Sequence, residues 1–194
     1  MSAPRIAAFA GSTRTGSWNG TLLKLAATAA REAGAEVTEI DLRDYPLPIF
    51  SQDLEADEGA PASAVALKEL LTKHDGLLIA SPEYNTSITP LLKNTIDWVS
   101  RPDDHHPGGA AFKDKVAGLM SASPGRFGGV LSQTHLRSIL TAIGIVVVPG
   151  LVTVPEAASA FDDEGRLTDD RTRASVERLG RRVVELIRGR PAGL

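Results

Sequence analysis

Short apolar, β-branched runs alternate along this chain with longer stretches in which apolar residues recur at i, i+3 and i+4. The short runs fall at residues 5–10, 36–41, 76–80, 115–121 and 145–148, and each reads as a buried strand. Between them, residues 20–33, 63–74, 87–99 and 130–143 carry the helical period. A last helix is expected over 169–188, opened by Thr168 with the acidic pair Asp169 and Asp170 and closed by Gly189 and Pro191. Strand–helix alternation of this kind predicts one α/β domain, a parallel sheet with crossover helices on both faces. The longest apolar stretch, 139–154, is broken by Gly144, Pro149 and Gly150. It therefore reads as a helix end followed by a buried strand, not as a membrane span.

Composition narrows the function classes. The 194 residues are 42% hydrophobic and 23% charged, enough for one sizeable core. A net charge of −3, with dispersed cations, argues against a nucleic-acid or anionic-membrane surface. Cysteine is absent, which removes disulfides, thiolate nucleophiles and cysteine-bound metals, so any redox chemistry must come from a bound cofactor. Nothing at the start resembles a signal peptide, and a cytoplasmic location is expected. Two Pro/Gly/Asp-rich loops, 45–61 and 101–112, are long for a compact domain, and their segments 45–50 and 103–112 are candidates for shaping a substrate pocket.

The richest chemistry lies in Gly11-Ser-Thr-Arg-Thr-Gly-Ser-Trp-Asn19, between the first strand and the first helix. Glycines and small hydroxyl residues there let backbone N–H groups approach an anion, at which the helix dipole also points. A nucleoside-triphosphate loop, G-x-x-x-x-G-K-S/T, would need lysine where Ser17 stands, and a dinucleotide fingerprint would need glycine at Thr13. The donors that remain, Ser12, Thr13, Arg14, Ser17 and Asn19, with one positive charge, suit a single terminal phosphate. A mononucleotide is implied, with FMN the leading candidate. The competing reading makes Ser17 and Asn19 ordinary helix caps.

Strands one and three should flank the crevice where an open α/β sheet reverses its strand order. The loop after strand three is Ser81-Pro-Glu-Tyr-Asn-Thr-Ser87. Pro82 fixes its direction, while Glu83, Tyr84 and Asn85 supply donors, acceptors and an aromatic face suited to a flavin ring. The alternative is a β-turn that caps the next helix. After strand four comes Ser121-Ala-Ser-Pro-Gly-Arg-Phe-Gly-Gly129, whose glycines would permit close backbone approach from the far side.

Together the three loops resemble the NADPH-dependent FMN reductase family, which includes quinone, chromate and azo-dye reductases. Residues 11–19 are similar to its G-S-x-R-x-x-S-x-N loop and residues 81–85 to its P-E-Y-N loop. Leu92-Lys-Asn-Thr-Ile-Asp-Trp98, Ser100-Arg-Pro102 and the Gly128-Gly129 pair extend the similarity. The resemblance implies a flavodoxin-like fold, a five-stranded parallel sheet in the order 2-1-3-4-5. It implies that Ser12, Arg14, Ser17 and Asn19 hold the FMN phosphate, that Pro82, Glu83, Tyr84 and Asn85 line the ribityl chain and ring, and that Ser123 and Gly128 close the far side. It further implies hydride transfer from NADPH or NADH through FMN to a small acceptor, with no catalytic side chain and no metal. A homodimer or tetramer is implied as well, with Leu91, Ile96 and Trp98 facing a partner.

A flavodoxin-type electron carrier would share fold and cofactor, but carriers tend to be strongly acidic and −3 is mild. A phosphate-ester sensor would keep the first loop with no use for the second. His105 and His106 are adjacent, lack a suitably spaced third ligand and read as a solvated loop. His74 and His135 sit in helical patterns and read as packing or surface residues.

Overall fold

A computed structural model describes residues 2–190, so Pro191, invoked above as part of the last helix's stop, lies outside the described residues. Strands β1 (Arg5–Ala10), β2 (Glu36–Ile40), β3 (Gly76–Ala80), β4 (Val116–Ala122) and β5 (Val146–Val147) pair in parallel in the order β2-β1-β3-β4-β5. The register sets Ala10 beside Ala80 and Ala80 beside Met120, so β1 and β3 end level at one edge and β4 runs two residues beyond them. The period-two alternation of β1 sorts its side chains to the two faces. Ile6 and Ala8 pack under α1 (Trp18–Glu32) and α7 (Asp170–Arg188). Ala7 and Phe9 pack under α3 (Ala62–Thr72), α4 (Pro90–Ser100) and α5 (Val130–Ala142). Among the described residues no helix is long and apolar enough to cross a membrane.

The fifth strand departs from expectation. Instead of one buried strand over 145–148, β5 lies at the sheet edge with Val146 about half exposed, and a sixth strand, β6 (Val152–Val154), pairs with Met120–Ala122 of β4. Pro149, which has no N–H, and Gly150, at φ +96°, break the strand between them. The Arg137 guanidinium covers the carbonyls this leaves, donating to Val148 at 3.0 Å and Gly150 at 2.7 Å.

Helix ends shift for local reasons. α4 begins three residues later than its period suggests, because residues 84–87 close a tight turn and Thr89 caps the helix, accepting from Leu92 N–H at 3.2 Å. α7 is capped by Asp169, which accepts from Thr172 N–H at 2.8 Å. The segment expected as one loop over 45–61 holds α2 (Gln52–Glu58), and a short α6 (Ala157–Ala160) follows β6.

Helices α1 and α7 approach closely at Gly180, where a Cβ would sit 2.3 Å from the Ala26 carbonyl oxygen. Backbone cannot yield there as a flexible side chain would. Gly180→Ala is therefore expected to lower stability by about 2 kcal/mol by forcing the helices apart, read as a lower urea midpoint. An unchanged midpoint would contradict this packing account.

Candidate functional site

The loop after β1 is pinned at its first residue. Gly11 N–H donates to Ala80 O at 2.9 Å, and Gly11 O accepts from the Thr89 hydroxyl at 2.7 Å. A Cβ on Gly11 would stand 3.0 Å from Leu92 Cβ, so any larger residue would press against α4. The chain then turns outward: Ser12 Oγ accepts from Arg14 N–H at 3.3 Å, Gly16 adopts φ +66°, and Ser17 N–H donates to Arg14 O at 3.2 Å.

Ser17 occupies the cap position of α1, yet its hydroxyl makes no capping hydrogen bond. The first-turn amides of Trp18, Asn19 and Gly20 precede any possible intrahelical acceptor. The Arg14 guanidinium stands over the Trp18 ring, 5.1 Å from its centroid, which adds positive charge at the rim. Ser12, Thr13, Arg14, Ser17 and Gly20 line a cleft of about 360 Å³. A loop serving only as a capped turn would engage the Ser17 hydroxyl with the helix; here free N–H groups, a free hydroxyl and the helix dipole converge with a guanidinium nearby. That donor set fits a phosphate dianion.

Asn19 has another task than the one its motif suggests. It is buried, 3% exposed, and does not line the cleft. Its amide donates to Ala122 O at 2.8 Å and its carbonyl accepts from Ala122 N–H at 2.9 Å, which fastens the start of α1 to the end of β4. Glu83 is likewise a brace. One carboxylate oxygen accepts from both Leu131 and Ser132 N–H at 3.0 Å, capping α5 from another loop. Thr89 is the third, and sequence reading missed it: its only signal is Thr-Pro at a helix start. These side chains lock the loops after β1, β3 and β4 into one rim.

Pro82 is buried at the base of the second loop, which then makes a two-residue turn. Tyr84 and Ser87 exchange hydrogen bonds of 2.9 and 3.0 Å, with Asn85 at φ 47° and Thr86 at φ 65°. The β-turn and flavin-loop readings are thus compatible. The left-handed conformation at a β-branched threonine is strained, as is common where backbone geometry serves a ligand. The turn leaves Asn85 exposed and Tyr84 53% exposed. Phe127 and Leu131, on the loop and helix that Glu83 ties to it, are also exposed.

In the third loop the chain's own backbone sets the glycine positions. Gly128, at φ +60°, would place a Cβ 2.7 Å from Pro155 N and 2.8 Å from Val154 C, so the backbone that demands glycine there is the end of β6. Gly129, at φ +91°, abuts the Ser121 side chain. Ser123 turns its hydroxyl to Gly125 N–H at 3.2 Å, while its N–H donates to Val154 O.

Elsewhere the structure separates what the sequence grouped. Residues 103–112 follow the far end of α4, which runs ~16 Å away from the rim, and are held at the opposite sheet edge by Lys68, whose Nζ donates to Asp103 at 2.7 Å. Within the chain they lie away from the rim loops. Residues 45–47 do lie there: Tyr45, Pro46 and Leu47 join Thr13, Arg43, Leu91 and Asn94 around a cleft of about 440 Å³. Trp98 is fully buried, donating to Pro48 O at 2.8 Å and meeting Phe50 edge-on at 4.9 Å between centroids. Ile96 is buried too, so neither faces a partner; both are spent on the chain's own core. His74 is buried between Leu70 O and Thr38 Oγ1, and His135 bonds the Ser87 hydroxyl at 3.1 Å. Among the described residues no group of three His, Asp or Glu side chains could hold a metal ion.

Comparison with known proteins agrees with this geometry. Residues 4–159 match the family model described as NADPH-dependent FMN reductase. The chain is 37% identical over 178 residues to an NAD(P)H:quinone oxidoreductase of Solanum tuberosum, covering 87% of this chain and 85% of that protein. It is 34% identical over 174 residues to an NAD(P)H-dependent FMN reductase of Pseudomonas aeruginosa, covering 89% of each. Among solved structures, the flavoenzyme NAD(P)H:(acceptor) oxidoreductase FerB from Paracoccus denitrificans superposes with a TM-score of 0.77 at 30% identity, over 96% of this chain and 98% of that one. With a parallel sheet in the flavodoxin-like order and an uncapped, amide-lined helix start at its switch point, this chain belongs to the NADPH-dependent FMN reductase family.

Proposed function

We propose that this protein is an NAD(P)H-dependent FMN oxidoreductase whose acceptor is a quinone, a free flavin or a similarly small molecule. The observation that carries the reading is the uncapped first turn of α1 beneath Arg14, braced to the loops after β3 and β4. FMN, when bound, supplies the chemistry, taking a hydride from the nicotinamide and passing reducing equivalents to the acceptor. In this reading Ser12, Arg14 and Ser17 hold the phosphate together with the first-turn amides. Pro82, Tyr84 and Asn85 line the ribityl chain and ring, and Glu83 and Asn19 keep those loops in register. Ser123 and Gly128 form the far wall by backbone shape. The cleft beside Tyr45, Pro46 and Leu47 receives the small acceptor, since it shares Thr13 with the phosphate loop. No side chain acts as nucleophile or base; the chain orients the reactants and excludes water.

Apoprotein titrated with FMN, followed by flavin fluorescence, should bind one flavin per chain. Arg14→Ala and Ser17→Ala should each weaken binding about tenfold or more, as expected for a charge-assisted or phosphate-directed hydrogen bond. The loaded protein should then turn over NADPH with a quinone. Tight FMN binding without turnover would make it an electron carrier instead. The reading also includes a cytoplasmic homodimer or tetramer, which light scattering would register as two or four times the chain mass.

A further inference from the structure

We infer that Thr89 is a positioning residue for the phosphate of the flavin, acting through the peptide between Gly11 and Ser12; this rests on the proposed phosphate site. Thr89 is 2% exposed and belongs to none of the motif positions that suggested the cofactor. Its hydroxyl has two partners, donating to Gly11 O at 2.7 Å and accepting from Leu92 N–H at 3.2 Å. The second bond caps α4. The first has no role in the helix and fixes the direction of a peptide group in the loop 78 residues earlier.

A trans peptide is planar, with its C=O and the following N–H pointing in opposite directions. Thr89 begins α4, which packs on the sheet face of Ala7 and Phe9, whereas α1 packs on the face of Ile6 and Ala8. Drawing Gly11 O toward Thr89 therefore turns Ser12 N–H away from α4 and toward the start of α1, where the uncapped amides converge. No protein acceptor meets Ser12 N–H among the described residues. Gly11 is held on its other side as well, by its bond to Ala80 O, so the hydroxyl of Thr89 fixes the peptide's remaining rotation. Without it, Ser12 N–H would turn away from the cleft at little cost.

The test compares Thr89→Val, which keeps the shape and removes the hydroxyl, with Thr89→Ser, which keeps both hydrogen bonds. FMN and riboflavin dissociation constants are measured on each apoprotein, alongside thermal unfolding of the flavin-free chain. A directed Ser12 N–H acts on the phosphate, so T89V should weaken FMN binding about tenfold while leaving riboflavin binding within about twofold. T89S should restore wild-type FMN affinity. The loss of the α4 cap should lower the unfolding temperature of T89V whatever the flavin does. Equal weakening of both flavins, or unchanged FMN affinity in T89V, would reduce Thr89 to a helix cap and overturn the inference. Failure of the wild-type chain to bind FMN would instead overturn the phosphate site itself.

Discussion

Asn19→Ala will lower the free energy of unfolding by about 3 kcal/mol, although the residue lies in a loop motif that reads as ligand-binding. Among the described residues its amide is the sole side-chain partner of Ala122, whose N–H and C=O lie in the buried end of β4. Truncation leaves both backbone groups without partners in an apolar setting, at about 1–3 kcal/mol for each. The loss should extend to FMN binding, because the loops after β1 and β4 are joined by this side chain. Asn19→Asp separates the two bonds. Its carboxylate can still accept from Ala122 N–H, but its second oxygen would face the Ala122 carbonyl with no proton between them, so N19D should be nearly as unstable as N19A. Urea unfolding of the three proteins, with FMN titration, reads both effects. If N19A unfolds like wild type and loses only FMN, Asn19 is a ligand contact and the bracing role is wrong.

An equal or larger loss is expected from Lys68→Ala, about 3–5 kcal/mol, at the sheet edge remote from the site. Lys68 is 1% exposed, and its Nζ bonds both Arg101 O and the Asp103 carboxylate. Burial pushes the Asp103 carboxyl upward, but hydrogen bonds from Lys68 Nζ and from the N–H groups of His105 and His106 outweigh it and hold the group well below the usual carboxylate range. A carboxylate lowered in the folded state stabilises it fully above the unfolded value, ~4. That contribution is lost as pH falls below ~4 toward the folded value. The stability difference between wild type and Asp103→Asn should therefore be constant near neutrality and shrink in acid. A difference that does not change between pH 6 and 3 would contradict the assignment. Replacing both partners, as in K68M with D103L, should recover only part of the loss, because the N–H groups of His105 and His106 would lose their acceptor.

Period and punctuation made most of the fold legible. The alternation in residues 5–10 and the i, i+3, i+4 spacing of 20–33 give a strand and a helix whatever surrounds them, since each pattern buries apolar side chains in only one geometry. The fifth strand was not legible in full, because its break at Pro149 and Gly150 matters only when β4 continues alongside and β6 can resume the pairing. Residues 103–112 were grouped with the site on length and placement in the chain, and the direction of α4 puts them at the other edge.

The site divides along the same line. Ser12, Arg14 and Ser17 stand out as candidates from residue type and spacing, because the chemistry of an anion at a helix start constrains a contiguous stretch of chain, and Pro82 to Asn85 stand out as a mixed polar and aromatic loop. Whether each donor serves the ligand or the protein does not, since that depends on partners about 50 to 100 residues away, as with Asn19 on Ala122, Glu83 on Leu131 and Ser132, and Thr89 on Gly11. The sequence by itself determined the alternation of elements and the family. Only the tertiary structure decided which polar side chains face the cleft and which are consumed in closing the rim, because a hydrogen bond between distant segments is set by how the sheet aligns its strand ends and leaves no local pattern.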